Sequence, residues 1–285
     1  MRSIIRIRAD EGKLTLAPYT VCRILEGGLK GFESPPELKC EVVPPAFGDG
    51  GVVVKYDCVP RELSIHFEVT DRGEYRSVRD QILKIMSSRR EVNITADLFG
   101  RRRSIGAYPA GKAEFIRENV NSFPEVRLHF VCPEPYFTEN KTEALTLPSS
   151  EGLFTFPLNV MEEAGFVPSF ASVGTVHKIY NPGDVPCGFS VKVSAVGGNV
   201  TDPALLLNGK RLQLMETLKI GDVAVFDTRR GKCGVSVNGV VRYNFSRESN
   251  FFSLEPGENR LTVMSVGDTK NLLAEICFTP YYAGV

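Results

Sequence analysis

The chain has 285 residues, with 34 Lys+Arg against 34 Asp+Glu and so no formal net charge. That length suggests about two domains, and zero net charge speaks against a global attraction to nucleic acid or anionic membrane. With 42% hydrophobic and 24% charged residues the mixture is that of a globular protein, and no apolar run approaches the roughly 18 residues that a membrane span needs.

The N-terminal Met-Arg-Ser-Ile-Ile-Arg-Ile-Arg places charge inside its apolar stretch, which reads as a first strand rather than a signal peptide. Strands are predicted at Ile4–Arg8, Leu38–Val43, Val52–Tyr56 and Leu63–Thr70. The last is the clearest. Leu63, Ile65, Phe67 and Val69 alternate with Ser64, His66, Glu68 and Thr70, the period of a half-buried strand. Turn-rich loops separate these strands, notably Glu33–Pro36 and Pro44–Gly51. One helix is predicted, capped by Ser77 with Asp80 three residues on. Val78, Ile82, Ile85 and Met86 form its apolar face, and Arg89 and Arg90 lie beyond its C-terminal end. Strands resume at Val92–Leu98, Ser104–Tyr108, Ala113–Glu118 and Val126–Val131. Two prolines, Pro133 and Pro135, then stop the last strand, because proline cannot donate to a ladder. We place the seam between two domains there, with 1–138 mainly β around one helix and 139–285 the second domain.

The second domain is rich in hairpin signals. Asn208-Gly209 and Asn238-Gly239 each sit beside an apolar run, and Asn-Gly favours the tight type I′ turn. Further strands are predicted at Phe189–Val193, Val223–Asp227, Arg260–Ser265 and Ala274–Thr279. Many short strands between turn signals predict an antiparallel sandwich. The seven cysteines form no Cys-x-x-Cys pair, and an odd number fits reduced thiols made in a reducing cytoplasm.

In order along the chain stand Pro60-Arg61-Glu62-Leu63, the helix followed by Arg89-Arg90, Arg101-Arg102-Arg103 and Phe130-Val131-Cys132-Pro133-Glu134-Pro135-Tyr136-Phe137. Asn181-Pro182-Gly183-Asp184, Pro203 before Leu207-Asn208-Gly209, Gly221-Asp222 before Asp227-Thr228, Ser249–Asn259 and Phe278-Thr279-Pro280-Tyr281-Tyr282 follow. This ordered set resembles the distal tail protein (Dit) family of long, non-contractile-tailed bacteriophages and prophages. The resemblance implies an N-terminal β-sandwich with one helix, forming a hexameric ring, and a C-terminal galectin-like β-sandwich. It implies a structural hub of the virion tail, made in the bacterial host cytoplasm. The ring would join the tail tube protein to the tail-tip protein and to baseplate or receptor-binding proteins. It implies no enzyme, no cofactor, no membrane and no sequence-specific nucleic acid. At 285 residues the chain leaves no room for the inserted carbohydrate-binding modules of some relatives.

Other motifs weigh less. Gly106–Ala113 approaches a P-loop, but Ala113 offers no hydroxyl for Mg²⁺. His129 and Cys132, three apart on a strand, face opposite sides and cannot share a metal. Glu162-Glu163 could serve glycoside hydrolysis only if held about 5 to 10 Å apart, and reads as solvated. A lectin-like second domain is the alternative function. With no Trp in the chain, Tyr180, Tyr243, Phe251 and Phe252 would have to stack on sugar, and Phe251-Phe252 reads more simply as a core pair. For assembly, the expected inter-subunit contacts are Pro44, Pro45 and Phe47, on an arm spanning Phe32–Asp57, and Arg101, Arg102 and Arg103, whose planar forks suit carboxylates across an interface. Pro44–Gly51 exceeds the usual connection of about four to six residues.

Overall fold

The computed structural model describes residues 3–45, 47–116, 123–139, 142–147, 151–152, 169–170, 176–266 and 271–285. The chain divides into two compact units. Unit 1 holds residues 1–140 together with Tyr281–Val285, and unit 2 holds Lys141–Pro280. The second domain was expected to run to residue 285; its last five residues cluster instead with unit 1.

Unit 1 contains β1 (Ile4–Ala9), β2 (Gly12–Leu16), β3 (Cys22–Lys30), β4 (Leu38–Val43), β5 (Val52–Cys58), β6 (Arg61–Val69), α1 (Tyr75–Met86), β7 (Val92–Leu98), β8 (Arg101–Pro109), β9 (Glu114–Ile116), β10 (Glu125–Cys132) and β11 (Phe137–Thr138). The main strand order is β2-β1-β7-β8-β10-β6-β3, and every pairing is antiparallel. The strand β8 runs along β7 and then hands Tyr108 and Pro109 to Val131 and Phe130 of β10. The alternation read in β6 is present: Leu63, Ile65 and Phe67 are buried, and they pair with Phe130, Leu128 and Val126 of β10. Each such side chain contributes about 1.5–3 kcal/mol by burial, so this six-residue stripe is a major part of the core.

The helix begins a turn earlier than expected. Its N-cap is Glu74, which makes no side-chain capping bond, and Ser77 lies inside the helix. The entry is shaped instead by Asp71, whose Oδ1 accepts the Gly73 amide at 2.8 Å. Val78, Ile82 and Ile85 are buried as the periodicity requires. A methyl group on Gly12 of β2 would come 3.2 Å from Ile85 Cγ1, which shows how closely strand and helix approach.

Unit 2 contains β12 (Glu143–Leu147), β13 (Glu151–Gly152), β14 (Ser169–Phe170), β15 (Val176–Asn181), β16 (Phe189–Ala195), β17 (Val200–Leu207), β18 (Lys210–Gln213), β19 (Thr217–Leu218), β20 (Val223–Asp227), β21 (Gly234–Val237), β22 (Val240–Arg242), β23 (Gly257–Val266) and β24 (Leu272–Phe278). One sheet runs β12-β24-β16-β20-β21-β22 and a second β15-β23-β17-β18, with β19 beside β17. Both Asn-Gly turns join hairpins, with Asn208 and Asn238 each at φ +49°. Buried asparagines pin the other turns. Asn259 Nδ2 donates to the Glu255 carbonyl at 2.7 Å and its Oδ1 accepts the Glu255 amide at 3.0 Å. Asn181 Oδ1 accepts the Gly183 amide at 3.0 Å. Among the described residues, the mainly β architecture with one helix matches the sequence expectation.

The last strand, β25 (Tyr281–Tyr282), pairs with β11 in unit 1. The stretch Pro133–Phe137 is held there rather than merely stiffened by its prolines. Phe137 is buried opposite Tyr282, and Tyr136 stacks on Tyr281 with ring centroids 5.7 Å apart.

Candidate assembly interface

The hairpin β4–β5 forms a two-stranded sheet of its own. All of its strand residues are exposed except Cys58, which is half-buried. Its register sorts the side chains into two faces. Lys39 lies opposite Asp57 and Glu41 opposite Lys55, cross-strand pairs of opposite charge. Leu38 lies opposite Cys58 and Cys40 opposite Tyr56 on the other face, which is apolar. A bulge after Glu41 lets Val42 pair with Val53 and continue that face. Tyr56 is 66% exposed, and Leu38, Val42 and Val53 are exposed as well. The Cys40 side chain, hydrogen-bonded to Tyr56, holds the phenol above its usual pKa range.

Such a hairpin is marginal alone, since two strands bury too little to pay for their ordering. Contiguous exposed apolar surface with a polar opposite face marks an interaction site. At the tip stand Pro44 and Pro45, then Phe47, which is 94% exposed, and Gly48 and Gly50 at φ +93° and +103°. The expected contact residues Pro44, Pro45 and Phe47 thus sit together at the far end of the arm.

The root of the arm is fixed from inside unit 1. The Val59 amide donates to the Glu37 carbonyl at 2.9 Å, closing the hairpin base. Arg61, 4% exposed, donates through Nε to the Pro135 carbonyl at 2.6 Å and through Nη1 to the carbonyls of Gly31 and Ser34. Its Nη2 donates to the Ala283 carbonyl. The guanidinium also lies 5.0 Å from the centroid of the Phe137 ring. Burial pulls the Arg61 pKa below its usual value, yet a guanidinium stays charged in proteins. One side chain therefore ties the segment entering the arm, the exit after β10 and the C-terminal strand together. Sequence reasoning quoted Arg61 without giving it a role. The available signal was its phase: Arg61 falls on the same parity as Leu63, Ile65 and Phe67.

The arginine cluster is split by the structure. Arg101 and Arg102 are exposed at the β7–β8 turn. Arg103 is 5% exposed, in phase with Ile105 and Ala107, and its guanidinium lies 3.6 Å from the Tyr282 ring centroid while Nη1 donates to the Gly284 carbonyl. Within the single chain it clamps the C-terminal strand of unit 1. Arg90 engages Asp10 at 2.8 Å, and Arg89 is exposed.

The remaining candidates are dispersed. His129 is half-buried and Cys132 buried on opposite faces of β10. Gly106–Pro109 lies within β8, where no helix opens. Tyr180 stands on the sheet of β15, whereas Tyr243 follows β22 of the other sheet. Phe252 is buried against Phe189, but Phe251 lies half at the surface, edge-on to Phe245, so the pair is only partly core. Glu162 and Glu163 lie outside the described residues. Among the thiols, burial pushes Cys22 and Cys187 up to about 11 and Cys132 up to about 12, which leaves them inert at neutral pH. Cys40 and Cys233 are exposed.

Comparison with known proteins follows the same lines. Residues 182–282 match the family model of the siphovirus-type tail component, C-terminal domain. The chain is similar in fold to the Dit protein (gp 19.1) of phage SPP1, described as a paradigm of the hub adsorption apparatus of phages infecting Gram-positive bacteria. Identity is 15% over 97% of this chain and 98% of that one, with a TM-score of 0.66. The baseplate of phage P2 in its activated conformation with Ca also matches, at 10% identity over 100% of both chains and a TM-score of 0.45. No curated protein matches the chain. The family match and the SPP1 Dit fold bear out the resemblance drawn from the sequence.

Proposed function

We propose that this chain, whose residues 182–282 match the family model of the siphovirus-type tail component, C-terminal domain, is a structural, non-enzymatic hub of a phage or prophage tail tip. Six copies form a ring through unit 1. The ring joins the tail tube protein on one side to the tail-tip protein and to baseplate or receptor-binding proteins on the other. Its place is the virion tail, after synthesis in the host cytoplasm.

The observation that carries this reading is the hairpin Leu38–Cys58. Its six-residue strand extends about 20 Å, enough to cross onto an adjacent subunit. Its apolar face of Leu38, Cys40, Val42, Val53 and Tyr56 is exposed in the single chain. A contact made by one patch on a different patch of the next copy is heterologous, and such contacts form a ring where the rotation between neighbours closes. A stable specific interface buries about 800 Å² per partner, and an arm with the projecting tip Pro44, Pro45 and Phe47 supplies much of that area.

Native mass with negative-stain imaging tests the reading. Six chains of 31.5 kDa give about 189 kDa and a six-fold ring. Deleting Pro44–Gly51 should leave a single-chain mass while unit 2 keeps its circular dichroism and melting. Normal rings from the deletion variant would remove the arm from the account.

A further inference from the structure

Among the described residues, three turns place a residue in the left-handed region immediately before a glycine. Asn208-Gly209 has φ values of +49° and +86°, Asn238-Gly239 has +49° and +79°, and Phe99-Gly100 has +53° and +79°. Two use asparagine, whose short polar side chain tolerates this conformation. The third uses phenylalanine, which gains nothing from it and is sterically penalised there. Burial within the chain does not offset the penalty, because Phe99 is 56% exposed at the tip of the β7–β8 hairpin. The residues that follow, Arg101 and Arg102, are exposed too. An aromatic ring flanked by arginines is the composition of an interface anchor.

The same chain carries a matching recess. A cavity of about 460 Å³ is lined by Ile24, Leu25 and Leu29 of β3 together with Pro18, Glu26 and Glu33. Arg23, also in the lining, is engaged by Glu68, which leaves Glu26 and Glu33 as the carboxylates free to meet a cation there. The recess is open because β3 is irregular: its pairing with β6 shifts register between Ile24 and Leu29, around Gly27 at φ +65°. Its lining combines apolar side chains with a few charged ones, as ligand recesses do.

We propose that Phe99 of one copy inserts into the Ile24–Leu25–Leu29 recess of a second copy, with Arg101 and Arg102 paired to Glu26 and Glu33. This rests on the self-assembly proposed above and adds a contact separate from the arm. Charge complementarity between the two patches selects a second copy as the occupant.

The test uses the full chain. Phe99→Asn should raise the melting temperature of the unassembled chain by a few degrees, because the turn then matches its two siblings, and should weaken self-association at least tenfold. Reversal by Arg101→Glu with Arg102→Glu should weaken association similarly, and adding Glu26→Arg with Glu33→Arg should restore it. Sedimentation equilibrium reads all of these. Unchanged association in the Phe99→Asn and the arginine-reversal variants would overturn the contact while leaving the arm intact. Loss without rescue by the double swap would overturn the recess as its partner. A wild-type chain that stays at 31.5 kDa at every concentration would overturn the self-assembly on which the proposal rests.

Discussion

Arg61→Ala is expected to cost unit 1 about 4 kcal/mol, the range for removing one member of a buried charged network. The Arg61 guanidinium donates to four carbonyls, those of Gly31, Ser34, Pro135 and Ala283. Truncation leaves these acceptors without their donor, each at roughly 1–3 kcal/mol if no water replaces it. It also removes the cation over the Phe137 ring. Arg61→Lys is not expected to rescue, because a single ammonium cannot spread donors over four carbonyls as the planar fork does. Thermal unfolding followed by a probe in unit 1 measures this, and the midpoint temperature should fall by roughly 10 °C. An unchanged midpoint would mean that the network is incidental. The same loss should loosen the root of the arm, since the carbonyls of Gly31 and Ser34 lie just before Leu38.

The second large effect concerns the arm itself. Val42→Glu combined with Tyr56→Glu puts two carboxylates on the apolar face of the hairpin. Both residues are exposed in the single chain, so its stability should change by no more than about 0.5 kcal/mol for each substitution. Across a subunit interface the same carboxylates would be buried without partners. Two central anchors at roughly 2 kcal/mol each correspond to an association weakened on the order of 10²–10³-fold. Concentration-dependent sedimentation reads the effect. The control is Lys55→Gln with Asp57→Asn, which removes the exposed ion pair on the other face and should change association little.

What the sequence revealed about the fold depended on local period and on turn chemistry. The strands β6, β7 and β10 and both Asn-Gly hairpins were legible, because period-two burial and positive φ are written in neighbouring residues. The strand β3 was not, since Gly27 and the register shift after Ile24 break its alternation. Nor was the return of Tyr281–Val285 to unit 1, which depends on pairing Phe137 with Tyr282 across the whole of unit 2. The arm strands could be read, but their exposure could not: Val-Val-Val at 52–54 looks like core, and only the separate two-stranded sheet shows that unit 1 leaves it uncovered. The arginines show the same limit from the other side. Arg61 and Arg103 look like surface charge by type, and only their phase with Leu63 and Ile105 hinted that they point inward.

Cys40 offers the most direct measurement of whether the apolar face of the arm is covered by another copy. It lies on that face opposite Tyr56 and is exposed in the single chain, while Cys233, exposed in unit 2, serves as an internal reference. The rate of thiol modification at each, read by mass spectrometry of peptides, should be compared in dilute single chains and in assembled protein. Cys40 is expected to react at least tenfold more slowly on assembly while Cys233 keeps its rate. Equal Cys40 rates in the two states would contradict the arm as the contact that builds the ring.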